Sequence, residues 1–228
     1  MKTFWLAQTA ASLMCLCLGA TANTSASAQT TVHEVLSYDG LEKTSVKGID
    51  VAYVRPGATL AGYTKVIIEP VQVSFAKNWN PKVTGRSFSL NQSQREDIRT
   101  SAAKVVYDAF AKELQGSGYA VVSEPGPDVL GIKPYIINLY VTAPDVQSAG
   151  RSRVYVRSAG QATLVAELAD SQTGQVIARV MDTRDAPGNG VMMVSSGVMN
   201  RAEGERIANA WAKILRTSLD KANGVGSH

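Results

Sequence analysis

Apolar and polar residues first fall into a regular order near Ile49. Ile49 to Val54 reads as a short strand closed by the turn Arg55-Pro56-Gly57. Between Lys65 and Ala76, Val71, Val73 and Phe75 alternate with Gln72 and Ser74, which predicts a strand with one apolar and one polar face. Pro70 lacks the N–H that a ladder uses, so a bulge or an edge position is expected there. Asn91 to Gln115 places Ile98, Ala102, Val105, Val106, Ala109 and Phe110 on one broad stripe, the mark of an amphipathic helix. Ser93 and Glu96 have capping-box spacing at its start, and Gly116 and Gly118 stop it.

Tyr119 to Glu124 predicts a strand that ends at Pro125-Gly126-Pro127. Val129 to Ala143 is a long run rich in Ile, Tyr and Val, which favours a strand buried in the sheet or crossing it. Ser158 to Leu168 and Gln175 to Thr183 flank Asp170-Ser171-Gln172-Thr173-Gly174, a hairpin loop that makes the two strands antiparallel neighbours. Pro187 to Gly197 is rich in Gly and Pro and reads as a mobile loop. Asn200 to Lys221 carries Ile207, Ala210, Trp211, Ile214, Leu215 and Leu219 on one face, a second helix capped by Asn200 with Glu203. The expected fold is α+β: a two-layer sandwich in which two amphipathic helices cover a mixed, mainly antiparallel sheet of about five strands. Residues 49–222 form that single domain, preceded by a polar, flexible segment over 29–48 and followed by a disordered tail over 223–228.

Residues 1–28 stand apart from this pattern. Lys2 precedes a mostly apolar stretch from Phe4 to Leu18, followed by two small-x-small sites, Ala20-Thr21-Ala22 and Ala26-Ser27-Ala28, which together make a cleavable signal peptide. Gln8, Thr9 and Ser12 interrupt the run, so it is too short to span about 30 Å of hydrocarbon. Cleavage after Ala22 or Ala28 removes both cysteines, Cys15 and Cys17, and leaves an exported chain without disulfides or thiol chemistry. Met14 and Leu16 precede the cysteines, where a lipobox has a small residue, so the expectation is a periplasmic or secreted protein without a lipid anchor or a transmembrane segment.

Composition narrows the chemistry further. The chain of 228 residues has 23 Lys and Arg against 19 Asp and Glu, a net charge of +4, too small and too dispersed for a nucleic-acid partner despite a pI near 9.1. His33 and His228 are the only histidines and lie outside the ordered pattern, which leaves no histidine triad and no imidazole zinc site in the core. Ser-x-x-Lys occurs at Ser74 to Lys77 and Ser101 to Lys104, but no Lys-Thr-Gly accompanies it. No cofactor is expected. Asp170, Asp182 and Asp185 are the remaining candidates for bond cleavage, as a carboxylate pair about 5 to 9 Å apart acting on a glycosidic bond; the alternative is that Asp170 turns a hairpin while Asp182 and Asp185 solvate a strand end beside Arg179 and Arg184.

Arg151, Arg153, Tyr155 and Arg157 form the one concentrated basic feature. In an extended chain Arg153, Tyr155 and Arg157 face one side, suited to a phosphate or acidic glycan; the alternative is a charged edge strand that refuses pairing. Met181, Met192, Met193 and Met199 cluster as well, either as soft ligands for Cu(I) or as filler beneath a loop.

Several segments in order also resemble a family. These are Tyr53-Val54-Arg55-Pro56-Gly57-Ala58, Tyr63 to Val71, Gly118-Tyr119-Ala120-Val121-Val122, Pro125 to Leu130, Asp170-Ser171-Gln172-Thr173-Gly174-Gln175 and Ala210-Trp211-Ala212. They are similar to the bacterial domain of unknown function numbered 3313. The resemblance implies a small proteobacterial envelope protein, often a lipoprotein, with no established activity and no catalytic residue to carry over. The functional expectation is a non-catalytic exported module that binds an envelope protein or glycan; the alternative is a carboxylate-dependent envelope hydrolase.

Overall fold

The computed structural model describes residues 39–77, 79, 82–83, 86–87, 90–141, 154–156, 160–186, 193–195 and 197–225. Residues 1–28, read above as a signal peptide, lie outside the described residues. The strands are β1 (Glu42–Thr44), β2 (Val51–Val54), β3 (Lys65–Ile68), β4 (Gln72–Phe75), β5 (Lys82–Val83) and β6 (Arg86–Ser87), followed by helix α1 (Gln92–Gly116). Then come β7 (Ala120–Val121), β8 (Val129–Val141), β9 (Val154–Val156), β10 (Gly160–Asp170), β11 (Val176–Ala186), β12 (Met193–Ser195) and helix α2 (Gly197–Ala222).

The fold is α+β as expected, and the sheet is wider than five strands. Eight strands form it, in the order β1-β2-β11-β10-β8-β3-β7, with β4 also pairing with β8. The β8–β10, β10–β11, β11–β2 and β1–β2 pairs are antiparallel, while β3 and β4 run parallel to β8 and β7 parallel to β3. One split strand and one unpredicted edge strand raise the count, and a third segment is shorter than expected. Pro70 divides the predicted Lys65 to Ala76 strand: from Ile68 to Gln72 the chain advances four residues while β8 advances three, from Ile132 to Tyr135, so the bulge falls where the missing N–H requires it. β7 keeps only two residues of the predicted Tyr119 to Glu124 strand. β1 lies within the segment read as flexible; its three residues are all exposed at the sheet edge, so no apolar period marks it.

Residues from α1 and α2 pack with one face of the sheet in a single core. Phe110, Leu114, Trp211 and Leu219 from the helices meet Val66, Leu130, Ile132, Ile136, Leu164 and Leu168 from the strands. Burying such side chains contributes about 1.5–3 kcal/mol each before chain entropy is counted. A smaller cluster forms separately, where Leu41 packs on Val51 and Tyr53, with Val165, Val176 and Met181 beside them.

The helix N-termini depart from their predicted caps, while the predicted glycine stop of α1 holds. Asn91 caps α1: its side chain accepts from the Gln94 N–H at 2.8 Å, and the Gln94 side chain accepts the Asn91 N–H at 3.0 Å, so the capping box sits two residues before Ser93. At the other end Gly118, at φ +92°, donates to Gln115 O while Tyr119 donates to Leu114 O. That is a Schellman motif, with the buried Leu114 and Tyr119 as its apolar pair. α2 begins at Gly197, so Asn200 lies inside it and is not its N-cap; the helical conformation extends back through Val198 and Met199. Asn223, expected in the disordered tail, instead ties α2 to the β2–β3 connection: its Oδ1 accepts the Gly62 N–H and its Nδ2 donates to Tyr63 O.

Candidate functional site

β11 brings Asp182 to the buried face of the sheet. Ala178, Val180 and Asp182 share one face of the strand, and Asp182 is only 4% exposed. β2 ends its regular pairing at Val51, opposite Met181, and there each strand caps the other with a carboxylate. Asp182 Oδ1 accepts the Asp50 N–H at 3.2 Å, and Asp50 Oδ2 accepts the Thr183 N–H at 2.9 Å. Two further donors converge on Asp182 Oδ2: Arg184 Nε and Trp211 Nε1, both at 2.7 Å. Arg184 also donates to Gly48 O at 3.0 Å. Above this seam lies an open cleft of about 570 Å³, lined by Gly48, Ile49, Asp50, Asp182 to Asp185 and Arg206.

The chemistry of this cleft follows from how its groups are engaged. A carboxylate offers about four acceptor sites, and three donors hold Asp182. Asp185 accepts from Gln161 Nε2 at 2.9 Å, and Arg206 donates to Glu203 at 2.9 Å. Of the expectation that Asp182 and Asp185 solvate a strand end beside Arg179 and Arg184, the pairing of Asp182 with Arg184 holds, and the solvated position of Asp182 and its nearness to Arg179 are corrected. Asp182 is buried against Arg184 and Trp211, and Arg179 pairs instead with Glu167 at 2.7 Å and Asp39 at 2.8 Å. The sequence signal for this was the charged residue in register with Ala178 and Val180, a core position that demands a buried partner.

Asp170 sits at the far end of the β10–β11 hairpin. Asp182 pairs with Leu164, and Asp170 lies six residues further along β10, about 20 Å away at 3.4 Å per residue. The two do not form a cleavage pair. Asp170 Oδ1 accepts from the Gln172 N–H, the Thr173 N–H and the Thr173 hydroxyl, and its Oδ2 accepts from Tyr63 Oη at 3.0 Å. The Thr173 N–H and hydroxyl hold its carboxyl below the ordinary range, with smaller contributions from Tyr63 and the Gln172 N–H. Burial, then the bond to Asp170, pushes the Tyr63 phenol up to about 12. Beside it, the Ser171 hydroxyl bonds both the N–H and the carbonyl of Gly126, and Asp128 accepts from Thr64 at 2.7 Å and pairs with Lys65 at 3.2 Å. The Pro-Gly-Pro turn and the Asp-Ser-Gln-Thr-Gly loop are therefore one interlocked corner, with structural bonds for every polar side chain named.

Arg151, Arg153 and Arg157 lie outside the described residues. Tyr155 lies on β9, which pairs antiparallel with β12, Tyr155 opposite Val194 and Val156 opposite Met193. Within the segment Pro187 to Gly197, read as a mobile loop, Met193–Ser195 form a strand too short to show a period, and 187–192 lie outside the described residues. Met192 lies outside the described residues, Met193 is on β12 and Met199 on α2, while Met181 packs in the small Leu41 cluster. Among the described residues no group of three His, Cys, Asp or Glu is placed to hold a metal ion, and no helix is long and apolar enough to cross a membrane.

The geometry thus defines an α+β domain whose described carboxylate candidates are occupied with holding its own strands. The chain belongs to the family described as Protein of unknown function (DUF3313), which matches residues 30–215. No curated protein matches it in sequence. It is distantly similar to the PelC dodecamer from Paraburkholderia phytofirmans, with 13% identity, 77% of this chain and 94% of that one covered, and a TM-score of 0.32. A protein from Xanthomonas campestris gives 14% identity, 75% and 91% coverage and a TM-score of 0.39. A DUF4136 family protein from Bacteroides thetaiotaomicron gives 10% identity, 79% and 99% coverage and a TM-score of 0.35.

Proposed function

We propose that this protein is an exported, non-catalytic module of the cell envelope that works by binding a protein or glycan component. The observation that carries the reading is the engagement of Asp182 and Asp170, each holding a separate structural joint about 20 Å from the other. A glycan hydrolase built on Asp170 and Asp182 requires these two within about 10 Å, with room for a water or a sugar oxygen between them. Export is supported by the leader pattern of residues 1–28, and binding by the basic stretch Arg151, Arg153, Tyr155 and Arg157. Arg153→Glu combined with Arg157→Glu is expected to abolish retention on an acidic glycan resin without changing thermal stability. Unchanged retention removes this stretch as the binding site.

A further inference from the structure

The cleft at the β2–β11 seam has a fixed floor and a polar rim. The floor is Asp182, 4% exposed, held in place by Trp211 Nε1, Arg184 Nε and the Asp50 N–H. One wall is the segment 48–50 that leads into β2, and the other is α2, from which Arg206 lines the opening. The walls meet at the base, where a Cβ on Gly48 would stand 3.1 Å from Ile214 Cδ1 on α2. Arg184 ties the first wall to the floor by donating to Gly48 O at 3.0 Å. The volume of about 570 Å³ falls in the range of about 300–1,000 Å³ found for small-molecule sites. Ile49 is the only apolar side chain in the lining, so the cleft suits a polar molecule.

Hydrogen-bonding capacity of both signs remains at this rim. Three donors fill three of about four acceptor positions on Asp182. Oδ2 takes two of them, so the remaining position is on Oδ1, whose bond to the Asp50 N–H is the longest of the three at 3.2 Å. Buried carboxylates ordinarily have their acceptor positions met, so this one calls for a further donor from the cleft side. Asp50 uses Oδ2 for the Thr183 N–H, and among the described residues nothing donates to its Oδ1. Arg184 uses Nε and Nη2 on Asp182 and Gly48, and Arg206 uses Nε on Glu203. Among the described residues, Arg184 Nη1 and both terminal nitrogens of Arg206 have no acceptor. The Arg206–Glu203 pair is an exposed contact between residues three apart on α2, worth about 0–1 kcal/mol, so Arg206 is free to turn to a better acceptor.

We infer that this cleft binds a short zwitterionic peptide, its ammonium group held by Asp182 Oδ1 and Asp50 and its carboxylate by Arg206 with Arg184 Nη1. A simple anion is opposed by Asp50, Asp182 and Asp185 in the lining, and a simple cation leaves the guanidinium N–H groups unused. A molecule with both ends satisfies both sets through charge-assisted hydrogen bonds, and the guanidinium fork matches the planar carboxylate. Because Asp182 is already locked by three donors, binding needs little reordering of the floor. The site uses none of the residues of the basic stretch over 151–157, so it goes beyond the acidic-glycan role.

Isothermal titration calorimetry of the purified protein with alanyl-alanine tests the site. The controls are N-acetyl-alanyl-alanine, which lacks the ammonium group, and alanyl-alanine amide, which lacks the carboxylate. The free dipeptide is expected to bind with a Kd below about 1 mM, and each blocked form at least about tenfold more weakly. Arg206→Gln is expected to weaken the free dipeptide about tenfold and to bring it within about twofold of the amide, which has no carboxylate to lose. Asp50→Asn still offers an oxygen to the Thr183 N–H, and is expected to bring the free dipeptide within about twofold of the N-acetyl form. Arg201→Gln, on the same helix but outside the cleft, leaves all three affinities unchanged. No saturable heat from the free dipeptide at about 10 mM, equal affinities for the three peptides, or equal losses in Arg206→Gln and Arg201→Gln overturn the inference. The comparison of the three peptides uses the unaltered protein, so a variant that fails to fold does not shield the inference. Retention on acidic glycan resin without dipeptide binding overturns this site alone and leaves the binding-module reading intact.

Discussion

Replacing Asp182 with Ala tests the seam most sharply, because the carboxylate joins three elements. The change removes the acceptor for Trp211 Nε1, Arg184 Nε and the Asp50 N–H at once. Trp211 is 2% exposed, so its indole N–H is left without a partner inside the core, at about 1–3 kcal/mol. Arg184, a quarter exposed, recovers part of its loss by turning to water. Breaking a pair this buried costs about 3–5 kcal/mol in general, and we expect about 3 kcal/mol here. Equilibrium urea unfolding, followed by circular dichroism, reads that loss directly as a lower midpoint with an unchanged slope. Trp211→Phe removes one donor while Asp182 keeps two, so it costs less, about 1.5–2 kcal/mol. The double variant then shows strong non-additivity, since both changes remove the same bond. A loss below about 1 kcal/mol for Asp182→Ala, or full additivity, refutes the claim that Asp182 holds strand, sheet end and helix together.

Three further outcomes follow from the geometry. Tyr63 has its folded pKa raised from 10.0 to about 12, so its contribution to stability is complete below pH 10 and fades as pH rises toward 12; in Tyr63→Phe the difference from the parent protein therefore shrinks across that window when unfolding is measured against pH. Asp170 has its folded pKa lowered, so its contribution is present above about pH 4 and fades as pH falls through the folded value; Asp170→Asn flattens that acid limb of the stability profile. Gly160 sits at φ +152° where an added Cβ overlaps the Tyr140 carbonyl, so Gly160→Ala is expected to cost about 2 kcal/mol or more by thermal unfolding, and a neutral result contradicts the register at the β8–β10 irregularity.

Both helices are legible in the sequence, because their apolar stripes persist over several turns and few other arrangements bury them. The β10–β11 hairpin is legible for a related reason: two alternating runs flank a loop whose Asp170 and Gly174 favour a turn. What escaped notice has little periodicity to offer. β1 is three exposed residues at an edge, and β9 and β12 are three residues each, too few for an alternation to stand out. The caps shifted because capping-box spacing recurs along polar stretches, and the tertiary start of the apolar stripe chooses among the copies. Asp182 was the most instructive residue. Read by charge it belonged to a strand end; read by register it belonged to the core, and its partner Trp211 lies 29 residues away on a helix that no local pattern connects to it.

We propose that this chain is exported, sheds its leader and then acts through its surface. Intact mass measurement on the protein recovered from fractionated cells tests it most directly. The account predicts a species beginning at Asn23 or Gln29 in the periplasm or medium. A full-length species with Cys15 and Cys17 retained, found in the cytosolic fraction, contradicts it.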